Sequence, residues 1–248
     1  MPCSFYRSVG EALERQGQRV SRINLSFGDW LYWHGKNAVN YRGRRKSWPD
    51  FLKSYIVDCG VTDLVLLGEQ RKYHKEAVLL ARDLGVRVMA TDFGYFRPDW
   101  ITLEPNGMGG NSTMPKNPED IIFLARKMSP IDFTQKYQDS GWRMSVGDFV
   151  ASFGDVLLSA FFPHYEMSVE RPHPLVYFPA MGQSLLLAKF RAKKATEMLC
   201  DLQKNRSPYF VFPLQLDHDF QIRAYSPYPG MTGSMPFCVE LDNLKDTD

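Results

Sequence analysis

The sequence predicts an α/β fold in which a parallel sheet carries helices on both faces. Residues 62–68 (TDLVLLG) form a near-continuous apolar run, which is typical of a parallel strand covered on both sides. Residues 74–84 have the apolar spacing of an amphipathic helix that Gly85 ends, and residues 86–91 (VRVMAT) form a second apolar run. Strand, helix and strand at this spacing predict a βαβ unit with parallel strands.

The chain before this unit predicts two helices and one strand. We expect a helix over residues 5–16 before Gly17, a strand over 19–25, a long aromatic and basic loop over 28–48, and a helix over 49–59 before Gly60.

The chain after the unit changes character. Residues 117–194 are predicted to be mostly helical, with breaks at prolines. Residues 209–216 (YFVFPLQL) predict a further strand, followed by a Pro- and Gly-rich stretch. The breaks fall at Pro130, Pro163, Pro172 and Pro174.

Composition excludes several classes of protein. The chain has 248 residues, 44% of them hydrophobic, and a net charge of +2. These values exclude a disordered or collagen-like chain and argue against a general nucleic-acid binder.

The four scattered cysteines form no CxxC pair, so we expect free thiols, no zinc site and a reducing compartment. We find no signal peptide and no apolar run near the roughly 20 residues of a membrane span, and we expect a cytoplasmic protein that at most touches a membrane surface.

Ligands of parallel α/β sheets bind at the carboxyl ends of the strands. The loops that begin at Ser26, Gly68 and Asp92 are predicted to share this edge. The richest of the polar segments covers residues 92–110, with the carboxylates of Asp92, Asp99 and Glu104 and the cation of Arg97. Carboxylates near a sugar carbon stabilise an oxocarbenium-like transition state, although structural turn residues would give the same pattern.

Two other segments also combine groups that suit a saccharide ligand. Trp30, Trp33 and Arg42 belong to an aromatic and basic segment that could stack on sugars and pair with anions, hold single-stranded RNA, or form a solvated loop. Gln215, Asp217 and Ser226 follow the last predicted strand and suit ligand contacts.

His218 stands between two acids without spaced partners, so we predict no metal site. The GxSxG, P-loop and HExxH motifs are absent from the sequence.

These three segments resemble the capsule polysaccharide biosynthesis and export family of Gram-negative bacteria, of the KpsS/LipB type. The resemblance runs from about residue 5 to about residue 231. It is carried by the strings NLSFGDWLYW, NYRG, TDLVLLGEQRKYH, GYFRPDWITLEPNGMGG and FPLQLDHDFQIRAYSPY.

The resemblance implies a cytoplasmic Kdo glycosyltransferase of the GT-B architecture, with two Rossmann-like lobes. Residues 1–205 would form the amino-terminal lobe with a helical connector, and residues 206–248 the start of an incomplete donor-binding lobe. CMP-Kdo would be the donor substrate, with no cofactor, and a lipid-linked saccharide the acceptor. Capsule assembly and export proteins and the inner membrane would be further contacts, and nucleic acid would not.

The resemblance also implies roles for single residues. Asp92 would be the first choice as nucleophile or base, with Glu104 or Asp99 in support, because Phe93 replaces the second acid of the motif of related Kdo transferases. Arg97 would aid an anionic group, and Gln215, Asp217 and Ser226 would bind CMP-Kdo.

The chain departs from the family in lacking its first apolar strand and its long carboxyl-terminal region, so an inactive fragment is one alternative. A non-catalytic glycolipid-binding export protein is another, and a sugar-nucleotide epimerase is a third.

Overall fold

The structure is a computed structural model that describes residues 4–94, 99–138, 140–167, 173–205 and 219–227. It divides into two compact units, Met1–Glu166 and Met167–Asp248. The first unit contains the sheets and most of the helices. The predicted domain division at residue 205 stays a prediction.

The first unit begins with elements that the sequence predicts in part. Helix α1 (Phe5–Arg15) and helix α3 (Trp48–Cys59) are confirmed, and Gly60 ends α3 in the left-handed conformation with φ 60°. Between them lie strand β1 (Arg22–Asn24), helix α2 (Phe27–Tyr32) and strand β2 (Ala38–Asn40), and β1 pairs parallel with β2.

The prediction of a loop over residues 28–48 was therefore wrong for α2 and β2. Helix α2 has only six residues, which is too short to show an apolar stripe. Its start does carry a sequence signal. Ser26 accepts a 3.3 Å hydrogen bond from the backbone N–H of Asp29, and this Ser-x-x-acid spacing resembles a capping box.

The predicted βαβ unit is confirmed. Strand β3 (Asp63–Leu67), helix α4 (Lys72–Asp83) and strand β4 (Arg87–Phe93) follow one another, and β3 pairs parallel with β4. Strand β5 (Ile101–Pro105) then adds to β4 in the antiparallel direction. We expected this stretch to be a loop within a parallel sheet, but a short connection after β4 allows only an antiparallel return.

The hydrophobic core lies between this sheet and helices α3 and α4. Val88 and Ala90 of β4 are buried with Ala81 of α4 and Leu52 of α3. The opposite face of the sheet is less covered, since Val65 of β3 is 46% exposed. The prediction that β3 is covered on both faces was therefore wrong at this position.

Helices follow the sheet as the sequence predicts. Helix α5 (Pro118–Lys127) ends before Pro130, and helix α6 (Gly141–Leu157) ends before Pro163. In the second unit, helix α7 (Pro174–Asn205) begins at a proline, and helix α8 (Phe220–Tyr225) lies near the end of the described residues. The strand predicted over 209–216 lies outside the described residues.

Two properties of the described residues concern the sequence-based exclusions. Cys59 and Cys200 are exposed free thiols, as expected, while Cys3 and Cys238 lie outside the described residues. Among the described helices, none combines the length and the apolar character needed to cross a membrane.

Candidate functional site

The ladder between β4 and β5 places Asp92 and Glu104 on the same face of the sheet. Asp92 is paired with Thr102, and Glu104 is paired with Ala90. The two acids are therefore diagonal neighbours, which in antiparallel ladders are about 7–8 Å apart. Both residues are partly buried. The structure thus brings together the two carboxylates that the sequence singles out first.

Each of these carboxylates has a nearby hydrogen-bond donor. The backbone N–H of Phe93 donates to Asp92 Oδ1 at 2.8 Å, and the hydroxyl of Ser112 donates to Glu104 Oε2. The Oγ of Ser112 also accepts a 3.1 Å hydrogen bond from the backbone N–H of Met114. The loop after β5 therefore positions the Glu104 carboxylate.

Asp99 contacts a different segment of the same unit. Its carboxylate accepts hydrogen bonds from the backbone N–H groups of Lys136, at 2.9 Å, and Tyr137, at 2.8 Å. The side chain anchors the loop between α5 and α6. Arg97, the fourth predicted residue of this segment, lies outside the described residues.

The predicted aromatic and basic residues have different surroundings. Trp30 is 37% exposed and stacks on His34, with 4.9 Å between the ring centroids. Trp33 instead packs against α1, because a Cβ atom placed on Gly10 would lie 2.3 Å from its ring. Arg42 is exposed. Of the two tryptophans, Trp30 therefore presents the more open ring to a ligand.

The third predicted segment is described only in part. Gln215 and Asp217 lie outside the described residues. The backbone N–H of Ser226 donates to the carbonyl oxygen of Ile222 at 2.9 Å, at the end of α8. No group of three potential metal ligands occurs within the described part of the chain.

A second polar cluster, which the sequence analysis did not select, lies where α2 follows β1. Its central contact joins α6 to α2, because the backbone N–H of Gly28 donates to Asp155 Oδ1 at 2.7 Å. Burial raises the pKa of the Asp155 carboxyl, although the N–H of Gly28 and the hydroxyl of Ser26 oppose this shift. The cluster therefore contains a carboxyl group that takes up a proton more readily than an ordinary aspartate.

Asp29 lies in the same cluster with the opposite pKa shift. Burial alone would raise the pKa of its carboxyl, but the Arg22 guanidinium at 2.7 Å and the backbone N–H of Leu25 at 3.1 Å lower it below its usual value. Asp29 therefore stays ionised. Two neighbouring carboxyl groups thus have pKa values that the structure moves apart, which is common in functional sites.

His74 brings the loop after β3 to this cluster. Its Nδ1 atom lies 2.8 Å from the carbonyl oxygen of Leu67 and 2.9 Å from that of Gly68. Burial and the positive charge of Arg71 lower the pKa of the His74 ring to about 4, while the charge of Asp29 opposes this shift. Asp29 and His74 thus interact electrostatically, but the prediction of one shared sheet edge was wrong, because β1 pairs with β2 in one sheet and β3 pairs with β4 in another.

Tyr165 completes the cluster. Burial raises the pKa of its phenol, and the charges of Asp155 and Asp29 raise it further. The phenol is therefore protonated at neutral pH and can donate a hydrogen bond. We call the set formed by Asp29, His74, Asp155 and Tyr165 the α2 cluster.

Sequence signals exist for only part of the α2 cluster. The capping spacing of Ser26 and Asp29 marks the start of a helix at the predicted sheet edge. His74 follows a predicted strand by a few residues. Asp155 and Tyr165 come from distant positions in the chain, so no local pattern relates them to Asp29.

Comparison with known proteins identifies the protein family whose sequences this chain resembles. A model of the family described as "Capsule polysaccharide biosynthesis protein" matches residues 62–236. The capsule polysaccharide modification protein LipB of Neisseria meningitidis serogroup A is 22% identical over 241 residues, which are 92% of this chain and 55% of LipB. The LipB protein of serogroup B gives the same identity and coverage.

A further relative is the capsule polysaccharide export protein KpsS of Escherichia coli. It is 30% identical over 115 residues, which are 46% of this chain and 30% of KpsS. The chain thus spans about half the length of the LipB relatives and less of KpsS. No solved structure matches it significantly. Because the family model covers most of the chain, including β3, β4 and β5, the chain belongs to the capsule polysaccharide biosynthesis protein family.

Proposed function

We propose that this protein is part of a glycosyltransferase that moves Kdo from CMP-Kdo onto a lipid-linked saccharide acceptor during capsule assembly. The observation that carries the proposal is the shared sheet face of Asp92 and Glu104 at the end of the βαβ unit, within the segment that the family model covers. The GT-B architecture with two Rossmann-like lobes belongs to the same proposal.

The glycosyl transfer reaction needs few catalytic groups from the protein. The bond between the anomeric carbon of Kdo and the phosphate oxygen breaks, and its electron pair leaves with CMP. The acceptor oxygen bonds to that carbon and loses its proton to a base. Positive charge develops on the sugar in between, so a nearby carboxylate stabilises the transition state. Asp92 would supply that carboxylate as nucleophile or base, and Glu104 would support it.

The remaining residues would hold the substrates, with no cofactor. Trp30 would offer its exposed ring to a sugar. Arg97 and Arg42 would pair with anionic groups of the donor or acceptor. The further substrate contacts in this proposal are Asp99, Trp33, Gln215, Asp217 and Ser226.

The location and partners follow from the proposed substrates. A nucleotide sugar donor would place the protein in the cytoplasm, and a lipid-linked acceptor would bring it to the inner face of the inner membrane. Contact with other capsule assembly and export proteins would occur there. Nucleic acid is not among the proposed partners.

The test measures CMP release from CMP-Kdo in the presence of a Kdo-primed lipid acceptor. In the full-length protein we expect acceptor-dependent release, and a loss of roughly 100-fold or more in Asp92→Asn, since one stabilising group is commonly worth this much. Glu104→Gln should cause a smaller loss. Asp58→Asn and Glu119→Gln are matched controls, because both residues are exposed and lie away from β4 and β5 in the sequence, on helices α3 and α5.

Three results would contradict the proposal. One is the absence of CMP release by the unsubstituted full-length protein. Another is an unchanged rate in both Asp92→Asn and Glu104→Gln. The third is unchanged capsule production in cells carrying the double variant, together with intact acceptor binding, which would favour a non-catalytic glycolipid-binding protein.

A further inference from the structure

Glu69 is the one charged side chain that is buried among the residues that the structure describes, with 1% of its surface exposed. It follows strand β3 directly after Gly68, whose backbone N–H donates to the carbonyl oxygen of Thr91 at 3.0 Å. The chain therefore reaches Glu69 where β3 ends beside the part of β4 that carries Asp92. Burial of a carboxylate is unfavourable unless the protein supplies hydrogen-bond donors, so this side chain needs specific partners.

One partner is the loop that follows β5. The Oε1 atom of Glu69 accepts a 3.3 Å hydrogen bond from the backbone N–H of Met108. Met108 is itself 3% exposed and belongs to the hydrophobic core, so this contact holds the loop against the inside of the protein. A Cβ atom on Gly107 would lie 3.5 Å from Cγ of Glu69 and 2.8 Å from Cβ of Asn111. The loop backbone therefore packs closely against the Glu69 side chain.

A run of backbone hydrogen bonds connects Met108 to Ser112. The carbonyl oxygen of Met108 accepts from the N–H of Asn111 at 3.0 Å, and the carbonyl oxygen of Gly109 accepts from the N–H of Ser112 at 3.1 Å. These bonds form a turn over residues 108–112. Glu69 holds the turn at its first residue, and the turn places Ser112 at its last.

The start of the loop has anchors of its own. The backbone N–H of Asn106 donates to the carbonyl oxygen of Val88 at 2.8 Å, and the Asn106 carbonyl oxygen accepts from the Arg82 guanidinium of α4. A change at Glu69 should therefore shift the turn while the loop stays attached to β4 and α4.

The Ser112 hydroxyl connects this turn to Glu104. Its oxygen accepts a 3.1 Å hydrogen bond from the backbone N–H of Met114, and its hydrogen is donated to Oε2 of Glu104. None of the described residues donates to the other carboxylate oxygen of Glu104, Oε1. A carboxylate oxygen accepts hydrogen bonds, so Oε1 suits the hydroxyl group of a ligand.

We propose that Glu69 is a positioning residue of the proposed reaction site. Its buried carboxylate fixes the turn after β5, so that Ser112 holds Oε2 of Glu104 and leaves Oε1 to accept a hydrogen bond from a hydroxyl group of the acceptor saccharide. This inference rests on the proposed function, because the acceptor is the substrate proposed there. Glu104 would then orient the acceptor oxygen, while Asp92 stabilises the charge on the sugar.

The first test measures the placement of Glu104 without turnover. Carbon-13 NMR of the full-length protein, labelled at the glutamate carboxyl carbons, reports hydrogen bonds to each carboxylate, and the resonance lost in Glu104→Gln identifies Glu104. We expect Ser112→Ala and Glu69→Asp to move this resonance in the same direction at pH 7. Glu69→Gln should leave it nearly unmoved, because the longer side chain keeps an acceptor oxygen within reach of Met108. Glu119→Asp is the control, since Glu119 is exposed on α5, and should leave it unmoved.

Kinetics with CMP-Kdo and the lipid-linked acceptor give the second test. Glu69→Asp keeps the charge but not the reach to Met108, so we expect kcat/KM for the acceptor to fall about tenfold, as for the loss of one hydrogen bond, with KM for CMP-Kdo unchanged. Glu69→Gln should retain most of the rate. Because Glu69 acts through Ser112, the double variant Glu69→Asp/Ser112→Ala should lose no more than Ser112→Ala alone. Thermal unfolding checks that each variant is folded.

The outcomes separate this inference from the proposed function. An unmoved Glu104 resonance in Glu69→Asp would overturn the inference alone. Equal losses of rate in Glu69→Asp and Glu69→Gln would also overturn it, because only the glutamine keeps the reach to Met108. A Glu104 resonance that moves as expected in a protein without CMP release would support the positioning by Glu69 and overturn the transferase proposal.

Discussion

The Asp155 carboxylate accepts a 2.7 Å hydrogen bond from the backbone N–H of Gly28, which lies 127 residues earlier in the chain. The bond joins the last turn of α6 to the first turn of α2. Asp155 thereby satisfies one of the N–H groups that the start of a helix leaves without an intrahelical partner. The position of α2, and with it of Asp29, depends on this contact.

Removal of the Asp155 side chain should destabilise the protein. Asp155→Ala leaves the Gly28 N–H without this acceptor, so we expect a loss of about 1–3 kcal/mol in the free energy of unfolding at pH 7. Asp155→Asn keeps an acceptor oxygen and avoids the burial of a charge, so its loss should be smaller. Urea unfolding measures both values, and equal losses would contradict this role of the oxygen.

The comparison of Asp155→Asn with the unsubstituted protein should also depend on pH. A carboxyl whose pKa is raised by folding contributes stability below its unfolded pKa, and this contribution disappears as the pH rises through the folded value. The unsubstituted protein should therefore lose stability relative to Asp155→Asn over the interval in which the pH rises from about 4, the pKa of an unfolded aspartate, toward neutrality. A parallel course of the two stability curves over this interval would argue against the raised pKa.

Gly154 is a separate test of the contact between α2 and α6. A Cβ atom at this position would lie 2.3 Å from two atoms of the Phe27 ring, so the helices cannot keep their separation if the residue has a side chain. We expect Gly154→Ala to cost about 1–3 kcal/mol, as overpacked cores do. Thermal unfolding measures the loss. Gly182→Ala is the control, since a Cβ there would meet no atom within 4 Å, and an equally stable Gly154→Ala would contradict the close packing.

His74 should make the stability of the protein fall in acid. Its pKa is about 4 in the folded protein and about 6.5 in the unfolded chain, so the unfolded chain binds more protons between these values. Stability is then complete above about pH 6.5 and decreases toward pH 4, by roughly 2–3 kcal/mol from this residue alone. In His74→Asn the decrease over this interval should be smaller by that amount. The same acid sensitivity in both proteins would contradict the shifted pKa.

The elements that the sequence predicted well are those whose signals are local. Gly60 and Gly85 both adopt positive φ, and each follows a helix that the apolar spacing predicts. The parallel pairing of β3 and β4 follows from the length of the connection between them. Strand β5 was missed although its apolar residues Ile101 and Leu103 alternate with polar ones, because five residues are a short pattern beside the Gly- and Pro-containing sequence around them.

The candidate site was likewise predictable only where its sequence signals are local. Asp92 and Glu104 were selected by their positions in one segment, and the strand register then placed them on one face. The α2 cluster joins Asp29 to Asp155, and only tertiary packing brings these residues together. A single sequence contains no signal for such a contact, because no local pattern around Asp29 or Asp155 indicates the other residue.

Asp99 gives the last prediction, because its contacts indicate a structural role that a substrate contact would not require. Its two hydrogen bonds to the N–H groups of Lys136 and Tyr137 should protect both amides from exchange with solvent. Asp99→Ala should increase their exchange about tenfold, which corresponds to a loss of about 1.4 kcal/mol in the free energy of local opening. Amide exchange followed by NMR measures this directly. Asp58→Ala, on the exposed side of α3, should leave both amides unchanged. Faster amide exchange in Asp99→Ala with unchanged CMP release would show that Asp99 anchors the loop. Unchanged amide exchange with reduced CMP release would show instead that Asp99 contacts the substrate, and would contradict the anchoring role.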